Sequence, residues 1–394
     1  QTALTVGYLE NEWEEDGRRY FHYVMDEPTL HFYPFMSGRY AVTRDRWNDV
    51  EIAIYHHPKH TWNVDRMIES VQASLDYYTE AYGPYQHRQV RIVEFPRYSR
   101  FAQSFSTIIP YSEGAHFVND LRDEDNLDMV YYITAHEMAH QWWGHQVCAA
   151  WVKGAMFMEE SFAQYSALMV MEQDYGREQM EKFLSYELDR YLRGRSQERK
   201  EEPPLLLAGD ESYVYYQKGS LVTYALRDYI GEERMNAALK DFIERNRYVG
   251  PPYPSALDLV ETLREATPDE YDYLIEDMIE NITLYDNRAE EATVEELEDG
   301  RYRVALTVQS RKMRADGRGV ETEVSQDDWI EIGVYGEENA DGEQPFLYLD
   351  KHKLTGGTHE IELVVDARPV RVGIDPRHLL IDRVPDDNVR KVTG

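Results

Sequence analysis

Residues 131–145 read YYITAHEMAHQWWGH, with two histidines four apart and a glutamate directly after the first. On a helix, residues at that spacing lie about 40° apart around the axis, so His136 and His140 project from nearly one face. Two imidazoles so placed reach one zinc ion at ~2.0–2.1 Å, and Glu137 beside them points toward a water the ion would acidify. The chemistry of such a set is hydrolysis, with the glutamate as proton acceptor. With 13 histidines in the chain, a chance H-E-x-x-H has a probability of roughly a few per cent. The context favours the metal, since apolar MVYYITA leads into the motif and Gly144 ends it.

A catalytic zinc needs a third protein ligand and an open fourth position. The next acidic residues are Glu159 and Glu160, which open the helical stretch EESFAQYSALMVMEQDYG. His145 is the rival third ligand, but it follows Gly144 and faces another way if the helix persists.

The elements that must hold these groups are legible in outline. Residues 1 to 50 carry aromatic and β-branched runs such as RRYFHYVM and GRYAV, which read as strands. NVDRMIESVQASLDYYTEAYG has helical periodicity and stops at Gly83-Pro84. QVRIVEFP is a short strand, and FAQSFSTIIPYSE reads as another that carries a polar stretch. Helices are expected at 125–144, 157–175, 177–193, 219–230, 232–246, 255–266 and 269–282. From residue 291 the runs RYRVALTVQ, DWIEIGVYG, PFLYLD and THEIELVVD alternate with a period of two, between turns such as ADGRG, ENADGEQ and LTGG. Residues 291–394 therefore read as a β-sandwich, with DNRAEEATVEELEDG as the linker into it.

Composition bounds the function. The 394 residues suffice for two or three domains, and 42% hydrophobic content excludes wholesale disorder. A net charge of −32 repels polyanions, so nucleic acid is not an expected partner. The same field suits amine-bearing substrates, though solubility in a salty medium is the plainer reason for it. One cysteine, Cys148, permits no internal disulfide. No segment reaches the ~18 uninterrupted apolar residues of a membrane span, and no signal peptide is expected, so the chain as given reads as a soluble piece. Its first residue, Gln1, suggests a part of something longer or a processed chain. The histidines His56, His57 and His60 beside Pro58 read as a solvated polar turn.

HEMAHQWWGH followed by EESFAQY resembles the gluzincin aminopeptidases, the family of aminopeptidase N and leukotriene hydrolase. The resemblance implies a zinc site of His136, His140 and a glutamate. Counting the family's usual spacing lands on Glu159, whereas matching its E-G-F-A-x-Y words lands on Glu160, and the aligned helix favours Glu160. The family also uses a tyrosine in a Y-x-K-G word to bind the oxyanion, which the YQKG word of this chain carries over to Tyr216. The implied architecture is α+β, with the C-terminal strands of an N-terminal β-domain at 1–50, a thermolysin-like, mostly helical catalytic domain at 51–285 and a β-sandwich at 291–394. Words such as HQWWGHQV and LIDRVPDDN are most similar to those of peptidase domains fused to bacterial ABC-type transporter permeases. That resemblance implies a larger membrane-anchored chain, tethered to the bacterial inner membrane on a face left open.

One family feature is missing. Aligning IIPYSE on the family's L-I-T-Y-R-E places Ser104 where the relatives' G-x-M-E-N glutamate anchors the substrate amine. Losing that carboxylate removes roughly 1.5–3 kcal/mol of recognition, while Gln103 and Ser104 keep backbone groups able to bind a peptide. The expected activity is zinc-dependent peptide hydrolysis, with Glu137 as base and Tyr216 as oxyanion donor. The alternative is a zinc-retaining peptide-binding or regulatory domain of a membrane transporter, without productive hydrolysis.

Overall fold

Val64, Met67, Ile68, Val71, Leu75, Tyr78 and Tyr82 recur every three or four residues, and all are buried along one side of helix α1 (Val64–Tyr82). The computed structural model describes residues 1–122, 126–177, 180–339 and 344–394. Residue 125 and residues 178–179 of two predicted helices, and 340–343 of the turn ENADGEQ, lie outside the described residues. The chain forms two compact units, Gln1–Gly176 with Gly231–Ala266, and Arg177–Ile230 with Thr267–Gly394.

In the first unit, β1 (Thr2–Leu4) pairs through its later partner β4 (Met36–Gly38), and β2 (Tyr8–Glu15) forms a hairpin with β3 (Arg18–Val24). A four-stranded sheet follows in the order β5 (Ala41–Trp47), β6 (Val50–His56), β7 (Gln89–Phe95), β8 (Ile108–Ser112). The first pair is antiparallel and the other two are parallel, with α1 as the crossover from β6 to β7. Ile52, Ile54, Ile92 and Val93 are fully buried, as expected for inner strands with a helix on the sheet.

The stretch FAQSFSTIIPYSE departs from the expected single strand. Only Ile108–Ser112 is a strand, and residues 102–105 fold back beside it through isolated bridges, Ala102 to Tyr111 and Phe105 to Ile108. The polar residues Ser106 and Thr107 make the reversal, with Thr107 at φ +69°. Thr107 is held by Arg91, whose guanidinium also donates to the carbonyls of Thr5 and Gly7.

Helices α2 (Met129–Ala139) and α3 (Phe162–Tyr175) pack against each other and against α1, and almost all their residues are buried. Asp128 caps α2 by accepting from the Tyr131 N–H at 2.9 Å, and Arg66 of α1 holds that carboxylate at 2.7 Å. After α4 (Met180–Gln197) and α5 (Gly219–Ile230) in the second unit, the chain returns to the first for α6 (Glu232–Asn246) and α7 (Ala256–Ala266).

The second unit continues with two antiparallel sheets. One has β9 (Ile282–Glu296) along one side of β10 (Tyr302–Ala315), whose other side carries β11 (Glu321–Val324) and, later in the chain, β14. The other sheet is formed by β12 (Asp327–Tyr335) between β13 (Phe346–Thr355) and β15, with β16 at its edge. The remaining ranges are β14 (Gly357–Val365), β15 (Arg371–Ile374) and β16 (Val389–Lys391). Val304, Leu306 and Val308 of one sheet and Ile330, Ile332 and Val334 of the other are fully buried or nearly so, the inward alternation expected of packed sheets.

The acidic stretch expected as a linker is mostly strand. Residues 286–296 belong to β9, and all but Glu290 pair with β10. The inward positions are small or polar, Asn287, Ala289 and Ala292, and the register shifts opposite Thr307 and Val308, leaving Glu290 as a bulge. That bulge moves the buried set from odd to even positions, and the glutamates form the exposed face. The solvated reading of the histidine turn holds for His57, which is exposed beside Pro58, but not for His56, which is buried with its ring bonded to Thr43 and to the His57 carbonyl.

Candidate active site

His136 and His140 stand one turn apart at the end of α2, with ring planes at 90°. Their Nε2 atoms are 3.1 Å from each other, and Oε2 of Glu160 lies 3.3 Å from each. The His140 Nδ1–H donates to the Trp143 carbonyl at 3.0 Å, which turns Nε2 toward Glu160. His136 is bonded in turn by Gln164 of α3. Gly144, at φ +112°, ends the motif by letting the chain turn away directly after the two tryptophans. Trp142 and Trp143 are fully buried, and the Trp142 indole donates to the Gly83 carbonyl beyond the end of α1.

These three atoms fit a metal by a direct geometric test. Ligands at ~2.0–2.1 Å on a tetrahedral ion lie roughly 3.3–3.4 Å apart, close to the triangle of 3.1, 3.3 and 3.3 Å that they form. Glu160 Oε2 is buried and faces the two imidazole nitrogens, so its lone pairs are directed at the point an ion would occupy.

Glu159 faces elsewhere, its Oε1 accepting from the Ala149 N–H at 3.1 Å. Both glutamates lie in a π-helical turn, Phe157–Ser161, that runs into α3. A π-turn carries one residue more than an α-turn, so counting along the chain and matching the helix disagree by one at just this place. His145 is outside the triangle. Its ring nitrogens lie 3.3 Å from the Ser104 carbonyl and 3.4 Å from Ser106 Oγ, and burial pushes its pKa down to about 4.

Glu137 is buried beside the triangle. Burial raises its carboxyl to about 7; His140 lowers it, Glu160 raises it and a bond from the Ser104 backbone lowers it again. Glu160 has the opposite balance, in which burial raises its pKa but His140 and the bonds from both imidazoles hold it well below the carboxylate range. One carboxyl of the site is thus a firm anion and the other exchanges a proton near neutrality.

Ser104 is buried rather than open. Its Oγ accepts from Gln141 Nε2 at 2.7 Å, and the same amide donates to the Phe105 carbonyl at 3.1 Å. Gln103 is half-buried next to it, its N–H bonded to the Pro110 carbonyl. Gln141 is the residue that sequence reasoning missed: its type carries no catalytic chemistry, and only its place directly after His140 marks it. Tyr216 belongs to the second unit, in the π-helical turn Tyr213–Lys218 before α5, half-buried with its ring 4.8 Å from that of Tyr215.

The model of the peptidase family M1 domain matches residues 66–281. A probable aminopeptidase 1 of Sulfurisphaera tokodaii is 23% identical over 207 residues, covering 50% of this chain and 26% of the relative. Human endoplasmic reticulum aminopeptidase 2 is 23% identical over 208 residues, covering 50% of this chain and 22% of the relative. The chain therefore matches across about a quarter of the length of these relatives. The fold is similar to that of Legionella pneumophila aminopeptidase A, solved in complex with aspartic acid, at a TM-score of 0.60 and 18% identity over 100% of this chain and 43% of that one.

Proposed function

The chain belongs to peptidase family M1, and from that premise we propose that it hydrolyses peptide bonds with a zinc ion held by His136, His140 and Glu160. The observation that carries this reading is the triangle of two imidazole nitrogens and one carboxylate oxygen, with the buried Glu137 carboxyl beside it. Zinc bound there supplies Lewis acidity, which polarises the scissile carbonyl and acidifies water.

The protein's own groups do the rest. Glu137 takes the proton of the attacking water and returns it to the leaving amine, a role that needs a carboxylate able to hold and release a proton near neutrality. The Tyr216 hydroxyl donates to the oxyanion, a bond strengthened as charge develops in the transition state. The backbone of Gln103 and Ser104 aligns the substrate along the strand edge, and no carboxylate replaces the relatives' amine anchor at Ser104. Selectivity for a free N-terminus is accordingly weakened. The domain limits proposed are 1–50, 51–285 and 291–394.

The test is metal content after dialysis against buffered zinc. Glu160→Gln and His140→Ala should lose zinc from this site, while Glu159→Gln and Glu137→Gln should keep it. Zinc retained by Glu160→Gln and lost by Glu159→Gln would reverse the ligand assignment.

A further inference from the structure

The histidines after β6 form a second cluster, apart from the one on α2. Strands β6, β7 and β8 run parallel, with Tyr55 in register with Val93 and Phe95 with Ser112, so their carboxyl ends lie side by side. At those ends His60, Glu94 and Glu113 each present one ligand atom, and these atoms lie within 4.8 Å of one another. His60 Nδ1 is 2.5 Å from Glu94 Oε1, and Glu94 Oε2 accepts from the His57 N–H at 2.6 Å. Glu113 Oε1 accepts from the Arg97 N–H at 3.0 Å.

Glu94 is 5% exposed. Among the described residues, no lysine or arginine nitrogen lies within ion-pair distance of Glu94 or Glu113; His60 pairs with Glu94, the His57 ring lies 4.6 Å from that of His60, and the Arg97 side chain runs along Gly114. Two carboxylates so close repel each other, and burial of one magnifies the cost. A divalent cation relieves it. One imidazole nitrogen and two carboxylate oxygens, with water completing the shell, form a mixed N/O ligand set suited to zinc or manganese. The place also fits, because open sheets with parallel strands bind ligands outside the carboxyl ends of those strands.

We propose that His60, Glu94 and Glu113 form a second divalent-cation site, separate from the His136, His140 and Glu160 set. An ion there ties three neighbouring strand ends together. It closes the base of the segment 96–112, whose turn carries Ser104 against Glu137. The role is structural: the ion fixes the edge along which a substrate would lie.

The experiment uses the metal-stripped chain titrated with zinc, with bound ions counted by native mass spectrometry. Wild type should take two zinc ions. His136→Ala/His140→Ala should take one, with zinc still raising its melting temperature, and adding His60→Ala should abolish that binding and the thermal shift. Glu113→Gln, which keeps an acceptor oxygen for the Arg97 N–H at a half-buried position, should weaken the second equivalent at least tenfold in otherwise wild-type protein. A wild type that takes one ion, or a second equivalent unaffected by both His60→Ala and Glu113→Gln, would overturn the proposal.

Discussion

Glu137 is where burial becomes chemistry. With its carboxyl raised from 4.5 to about 7, the folded metal-free protein binds a proton that the unfolded chain has released. The stability this contributes is full below pH 4.5 and is lost as pH rises toward 7. Glu137→Gln, neutral at every pH, should therefore gain on metal-free wild type over that window, by about 3 kcal/mol in urea unfolding at pH 4.5 and 7.5. An unchanged gap between the two proteins would show that the carboxyl titrates normally. Zinc, a nearby positive charge, favours the carboxylate, so the acid limb of kcat/KM in loaded enzyme should lie below pH 7. Tyr216→Phe should lower kcat by about a hundredfold with zinc content unchanged, the loss expected of one oxyanion donor. Full turnover in that variant would remove Tyr216 from the mechanism.

At the scale of elements, the folded-back segment 102–105 sets the geometry around Glu137, and Gln141 is its clasp. Gln141→Ala removes the bonds to Ser104 Oγ and the Phe105 carbonyl. It should reduce kcat/KM by about tenfold while zinc stays bound, as expected when a buried hydrogen bond that positions a reacting segment is lost. Loss of zinc alongside activity would mean that Gln141 supports the helix rather than the segment. The elements were unequally legible in the sequence. α1 and α2 stood out because their buried faces are long and apolar. β9 did not, because Ala289, Ala292 and Asn287 fill its inward positions and the bulge at Glu290 breaks the period. The reversal at Ser106 and Thr107 was hidden as well, since neither residue is a strong turn former and Thr107 adopts a positive φ that few sequences announce. The placing of His136 and His140 side by side on α2 was readable from spacing alone. Choosing between Glu159 and Glu160 from sequence required words shared with a family, because a π-turn has no composition of its own.

For the whole molecule, the net charge of −32 and the absence, among the described residues, of any helix long and apolar enough to cross a membrane describe the chain without naming its substrate. The fold and the family were legible because one motif and its flanking words occupy the buried centre of the first unit. The reading of Ser104 as a substituted amine anchor came from alignment to the family's words, and it belongs to the proposal about which peptides are cut. The most direct measurement is hydrolysis of a matched peptide pair, one with a free N-terminus and one acetylated, by zinc-loaded wild type and by Glu137→Gln. Wild type should cut the free peptide and, with its amine anchor missing, the acetylated one at a comparable rate, while Glu137→Gln keeps its zinc and loses at least a hundredfold in turnover on both. Zinc-loaded wild type that cuts neither peptide, or Glu137→Gln that cuts as fast as wild type, would contradict the assignment of this site as a hydrolase.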